Sequence, residues 1–537
     1  MKSNKKLFAL FLCLVLIIGA VGCTKTNDVS QDTVQKDTAQ NSNDETEKVF
    51  KAAMTANPLS LDEGYSTTTA TRQVSSYIFE TLFTFGENYE IIPQLADSYE
   101  ASEDLLAYNI KLREGVKFHD GSDFTADDVI ATLERNKTTS MYNKNFDKID
   151  SIEKISDYEI IITLSESIAL IPMLAFPQRV TMIPSEVAEK NMGQELRADS
   201  IIGTGPYKLV EWTPDVHVKL EKFDDYAVDA RFDERMGLGG KREAVFDTIY
   251  FIPVPEAESR IAGLETGEFD YAESIPNTSY DRIASNDDVI ESIVKPRWSV
   301  LLEFNHKNWP TSDVNFRRAL AYALDMEKVL TAVTSGNKDF YRLDPSIYTP
   351  EQFYFTEAGS KEIYNKRDLN KVKELLDLAG YKGEEIVYLV NKDFDWMYKA
   401  CLSIAEQWQE AGINIKLEFS DWATQIAKAQ SMEGWNINQT GWSTRLDPTQ
   451  VAWTIRTGTT AGYGYSNPKT DALIEEVSLG KPEEERKEAW DKIQERIWED
   501  MAVLKIGDYF ELEAINNKYD GYDSFYIVPR FWNLTIK

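Results

Sequence analysis

Apolar and polar positions alternate in several short runs, the period of a strand with one face covered. Tyr108-Ile110-Leu112 and Tyr158-Ile160-Ile162-Leu164 follow this rule. So does Ile413-Ile415-Leu417-Phe419, set against Asn414, Lys416 and Glu418. Elsewhere the spacing is helical. Val372, Leu375, Leu376 and Ala379 follow Asp368 and precede Gly380, which predicts a helix begun at the aspartate and ended by the glycine. Cys401, Ile404, Trp408 and Ala411 fall on one helical face with Gly412 as the stop, so Cys401 reads as a core residue, not a nucleophile. One long helix is predicted from about Asp313 to Val333, with Phe316, Leu320, Ala323 and Leu324 on its buried side. Helices and strands mix throughout, with no repeat of fixed period and no all-β block, so the body is an α/β or α+β protein.

The first residues follow a different pattern. Lys5-Lys6 precede an apolar run from Leu7 to Ile18, and Gly19-Ala20-Val21-Gly22 lead to Cys23. A basic start, a short apolar core and small residues before a cleavage point make a secretion signal. The run is shorter than the roughly 20 apolar residues of a membrane-spanning helix. Cys23 after Ala-Val-Gly looks like a lipobox, in which the thiol is acylated and the preceding bond cut; the alternative is an ordinary secretory signal with a chance cysteine. The signal is thus 1–22, and 23–48 are a lipidated cysteine and a polar spacer too poor in apolar surface to fold.

Composition narrows the function. Apolar residues make up 42% and aromatics 12%, enough for a large core in more than one domain. Of the three cysteines, Cys13 leaves with the signal and Cys23 is the anchor, so Cys401 has no disulfide partner in the mature chain. A formal net charge of −31 argues against nucleic acid and against an electrostatic membrane-surface role. Catalytic constellations are missing. His119, His217 and His306 are far apart in sequence, and no HExxH, CxxC, GxSxG or Walker loop occurs. His119, in Phe118-His119-Asp120-Gly121, reads as a turn residue after a strand. The expectation is no enzyme, no cofactor and no metal.

Five segments in order carry a resemblance. Leu112-Arg113-Glu114-Gly115-Val116-Lys117-Phe118-His119-Asp120-Gly121, followed by Phe124-Thr125-Ala126-Asp127-Asp128-Val129, resembles the signature of family 5 extracellular solute-binding proteins, the peptide, nickel and glycoside receptors of ABC importers. Gly203-Thr204-Gly205-Pro206-Tyr207, Gly267-Glu268-Phe269-Asp270, Pro310 through Ala323, and Gly441-Trp442 with Asp447-Pro448 are similar to further elements of that family. Most keep a structural reading: Asp127-Asp128 favour a helix N-terminus, and Gly203 and Gly205 allow close backbone passage.

The resemblance implies an α/β, two-lobed periplasmic-binding-protein fold (type II-like) with an extra inserted domain and a ligand cleft between the lobes. On that pattern the first lobe takes 49–83, 200–297 and 500–537, the inserted domain 84–199, and the second lobe 298–499. It also implies a monomer that closes on a peptide or small-molecule solute and delivers it to ABC permease subunits. Its lipid would hold it on the outer face of the cytoplasmic membrane, or it would be periplasmic. A ligand sensor for peptide signalling or chemotaxis is the alternative on the same scaffold.

The pocket signal lies in Gln439-Thr440-Gly441-Trp442-Ser443-Thr444-Arg445. In peptide-binding relatives this strand ends at the cleft, its Trp lines a pocket, and an Asp three residues later meets the ligand's ammonium. Here that slot holds Arg445, whose fork of donors suits a carboxylate or phosphate. Alternatively Arg445 turns away to pair with Asp447 or another acid, and Trp442 is plain core. Gln439 and Ser443 join them as ligand-binding candidates, and Trp298, Tyr463 and Tyr465 are candidate aromatic walls.

Overall fold

The computed structural model describes residues 47–537 apart from 67, 140–143, 145 and 453. The signal 1–22, Cys23 and nearly all of the spacer lie outside the described residues.

Local signals place the elements. Asp368 caps the helix Leu369–Ala379, its side chain accepting from the N–H groups of Asn370 and Lys371, and Gly380 ends it at φ +79°. The helix Asp395–Glu410 carries Cys401, fully buried, and stops before Gly412 at φ +83°. Cys401 Sγ donates to the Tyr398 carbonyl at 3.1 Å, and burial pushes its thiol up to about 12, so it rests as a protonated core group. The single helix predicted over 313–333 is in fact two, Val314–Tyr322 and Met326–Val333. Asp325 is the cause. Its carboxylate caps the second helix through the Lys328 N–H, and its own N–H donates to Gln407 Oε1, which breaks the helical ladder.

The main sheet has eleven strands and runs through the whole body. From one edge the order is Ile415–Ser420, Ile386–Asn391, Ile437–Ser443, Val289–Phe304, Val503–Asn516, Tyr271–Ile275, Val49–Met54, Thr248–Pro253, His217–Lys222 and Tyr207–Thr213, with Tyr341–Arg342 pairing beside Val503–Asn516. Two long antiparallel strands are its spine. Val289–Val294 pairs with Glu511–Asn516, and Trp298–Glu303 pairs with the stretch from Val503 to Tyr509. The register shifts between Val294 and Trp298, where Pro296 offers no N–H to the ladder.

Apolar residues collect on either side of this spine. One core draws on Phe50, Val74, Tyr77, Phe251 and Phe531, together with Ile110 and Ile160 of the antiparallel sheet Ala96–Ala101, Ala107–Leu112, Glu159–Leu164 and Ile149–Ser156. Another draws on Val300, Phe316, Leu320, Ile404, Trp408 and Leu504. A third, around Leu301, Tyr348, Trp442, Trp490 and Ile493, flanks the second.

Gly203 and Gly205 stitch the first core. A Cβ on Gly203 would lie 2.0 Å from the Ile78 carbonyl oxygen, and one on Gly205 2.4 Å from that of Tyr77. His119 bridges the same turn: its ring takes the Gly203 N–H at 3.3 Å and donates to the Gly205 carbonyl at 2.9 Å. Burial holds this imidazole down at about 4, hence neutral, as those two roles require. Gly203→Ala is expected to cost about 3 kcal/mol, the upper range for overpacking, because its neighbour is backbone. Urea denaturation checks this; a loss below about 0.5 kcal/mol would show that the turn can yield.

Candidate functional site

A cavity of about 430 Å³ opens beside the spine. One wall is Thr55, Thr69 and the segment 273–278; the other is Val333, Ser335 and the segment 393–399, with Arg297, Trp298, Tyr509 and Glu511 between them. Sheet pairing fixes its floor. Trp298 stands opposite both Tyr509 and Ser443, so three strands meet at one level. Gly441 is small for a reason: a Cβ there would lie 2.3 Å from the Trp396 ring. Trp396 in turn stacks on Tyr509, centroids 5.7 Å apart at 26°. The cavity therefore has aromatic walls from three elements.

Its polar groups are held in place. Glu511 accepts from Arg297 Nε and from Trp298 Nε1, both at 2.7 Å. Glu273 accepts the Thr55 N–H at 2.5 Å, Thr55 Oγ1 at 2.7 Å and Gln73 Nε2 at 2.6 Å. Asp395 pairs with Lys399 at 2.5 Å, and Asp393 accepts the Trp422 N–H at 2.7 Å. Four carboxylates against Arg297 and Lys399 leave the lining formally negative. Ser274, a non-glycine at φ +45°, sits where the strand Tyr271–Ile275 bulges toward the cavity. Such strain concentrates at ligand clamps.

Of the residues singled out from sequence, Trp298 lines this cavity and Ser443 is its cross-strand neighbour. Trp442, 5% exposed, faces the third core and donates Nε1–H to Glu303 at 3.3 Å. Glu303 also accepts from Asn438 at 2.9 Å, and burial raises it to about 7. Gln439 is fully buried and accepts from the Tyr388 hydroxyl. Tyr463 packs edge-on against Trp435 at 5.2 Å. Tyr465 donates to Asp500 at 2.7 Å and borders a separate polar cleft with His306 and Arg317. Arg445 lies two residues beyond the strand Ile437–Ser443, and Thr444 between them is tied back by its N–H, which donates to the Arg297 carbonyl at 3.2 Å. Its guanidinium lies 5.3 Å from the Trp442 ring. Asp447 is held elsewhere, by Arg486 at 2.7 Å.

Sequence reasoning did not reach Glu273, Trp396, Tyr509 or Glu511. The last two were visible only as strand alternation, Tyr509-Glu511-Glu513 against Phe510-Leu512-Ala514. That pattern reads as one wet face, whereas here the polar face turns inward and Glu513 is 4% exposed.

Residues 90–463 match the model of bacterial extracellular solute-binding proteins, family 5. The chain belongs to that family. It is 27% identical over 492 residues to a glutathione-binding protein, GsiB, of Pectobacterium atrosepticum, covering 88% of this chain and 90% of that one. It is 25% identical over 507 residues to an oligopeptide-binding protein, AppA, of Bacillus subtilis, covering 87% and 88%. The crystal structure of the ABC transporter substrate-binding protein CtaP from Listeria monocytogenes superposes with a TM-score of 0.77 at 24% identity, over 89% of this chain and 96% of that chain. The α/β, two-lobed binding-protein fold expected from the sequence is thus the fold observed. Among the described residues no helix is long and apolar enough to cross a membrane.

Proposed function

We propose that this chain captures a peptide or peptide-like solute in the cavity beside Trp298 and delivers it to the permease of an ABC importer. The carrying observation is the cavity itself, walled by Trp298, Trp396 and Tyr509 and built from elements of the first and second apolar cores. Its negative lining around Glu273 and Glu511 suits an ammonium, and Arg445, outside that lining, would suit a carboxylate. A peptide carries both groups. Trp298 and Ser443 would face the solute, with Trp442, Gln439, Tyr463 and Tyr465 backing the strands that hold it. The lobes would be 49–83 with 200–297 and 500–537, and 298–499, with 84–199 inserted; hinge closure would bury the solute. Cys23 would carry the lipid that keeps the protein outside the cytoplasmic membrane.

Native mass spectrometry of the purified protein tests capture. A co-purified solute released on denaturation is expected, and a mixture of short peptides should raise the melting temperature by mass action. If neither appears, the reading fails. Placement is tested separately: Cys23→Ser should leave the protein unprocessed or release it from membranes that retain the wild type. A wild type recovered soluble after cleavage elsewhere would exclude the anchor.

A further inference from the structure

Two arginines, distant in the chain, each bury an Nε–H that no acid or other group accepts. Arg72 projects from the helix Thr69–Ile78, whose Ala70, Val74, Tyr77 and Ile78 belong to the first core. Its Nη1 donates to the Tyr526 hydroxyl at 3.1 Å, while its buried Nε–H has no hydrogen-bond partner. Arg445 belongs to the other side, stacked on Trp442, and its buried Nε–H is also without a partner. Packing brings both segments to the first core. Leu446, next in the chain, leaves the third core and is buried at 3% exposure in the first, the core that also holds Tyr526.

Of the acids nearby, Asp447 and Glu303 are committed, and burial holds the Glu63 carboxyl beside Arg72 protonated up to about 8. Asp447 is taken by Arg486 and by the N–H and hydroxyl of Thr449. Glu303 is taken by Asn438 and Trp442. Among the described residues neither Arg72 nor Arg445 has an ion pair. Burial pushes the Arg445 ionisation down, and the charge of Arg72 pushes it the same way. Like charges in a partly desolvated place are costly unless an opposite charge joins them. A guanidinium presents donors in a planar fork that matches the oxygens of a carboxylate or phosphate.

We propose that Arg72 and Arg445 form a two-sided clamp for a single oxyanion, a carboxylate or phosphate group of the solute. This rests on the solute-capture reading and adds to it a second arginine, carried by a helix of the first core. An oxyanion between them would satisfy the two free Nε–H groups and replace the repulsion of like charges by attraction to both. Solutes with such a group would therefore favour closure, and the same solutes with that group masked would not.

The test is thermal denaturation of the purified protein with inorganic phosphate against chloride at equal ionic strength. Trialanine and trialanine amide are run in parallel. Phosphate, or trialanine but not its amide, should raise the melting temperature of the wild type. Protection by phosphate alone would assign the site to phosphate groups, and protection by free trialanine alone to carboxylates. Arg72→Gln and Arg445→Gln should each weaken the effective anion at least tenfold, and the pair should weaken it no more than the sum of the two in free energy. No protection by any of the probes, or equal protection in wild type and both variants, would overturn the clamp. A co-purified solute retained at unchanged occupancy by both variants would also overturn it while leaving solute capture standing.

Discussion

Arg486→Met is expected to destabilise the protein by about 3–5 kcal/mol, because it strands a buried carboxylate. Asp447 and Arg486 are 2% and 1% exposed, joined at 2.7 Å, and Arg486 Nε also donates to the Val477 carbonyl at 2.8 Å. A charge left alone at that depth costs more than the pair contributed, whereas removing both charges costs little. Asp447→Asn with Arg486→Met should therefore recover most of the loss measured for Arg486→Met alone. The substitution also carries a functional signature. Asp447 lies two residues from Arg445, so once released it becomes a competing partner for that guanidinium. Anion protection should fall in Arg486→Met and return in the double variant. Urea denaturation of the three proteins decides the first point; an Arg486→Met protein as stable as wild type would show that water reaches Asp447.

That competition explains what sequence could and could not give about the site. The strand Gln439 to Ser443, the Trp at its end and the arginine beyond it were legible, because a family pattern marks them. Whether Arg445 pairs with Asp447 was open, since only the fold shows that Arg486, 39 positions further on, takes the acid first. Local signals behaved likewise. Asp368 with Gly380, and Gly203 with Gly205, give their structural roles away, because caps and close backbone approaches depend on residue type alone. Asp325 is a capping residue too, yet the run 313–333 reads as one helix until Gln407 is found holding its N–H. The cavity was the least visible part. Glu273 and Glu511 are single acids in a chain with 89, and what sets them apart is convergence from strands more than 200 residues apart. Trp396 gains its place only because Gly441 leaves room for it.

The second large effect is one of pH, and Glu63 carries it. This residue is 1% exposed, and its Oε2 has no hydrogen-bond partner. Burial raises its carboxyl from 4.5 to about 8, with Arg72 pulling it down and Asp62 pushing it up. Asp62 is itself fixed by Arg135 at 2.6 Å and by the Leu196 N–H at 3.0 Å. Between those two values the folded protein keeps a proton that the unfolded chain has released. Stability from this group is thus complete below about 4.5 and is lost as pH rises through about 8. At about 1.4 kcal/mol per unit, the fall between pH 5.5 and 8 is roughly 3 kcal/mol. Glu63→Gln removes the titration without removing the bulk, so its stability curve should be flatter than that of wild type by that amount. The unpartnered amide costs the same at every pH and does not enter the difference. Urea denaturation of both proteins across this range is the measurement, and parallel curves would mean that Glu63 ionises normally. Above pH 8 the wild-type carboxylate also becomes a counter-charge for Arg72. Anion protection should then weaken in wild type and persist in Glu63→Gln, which ties the buried acid to the arginine pair it adjoins.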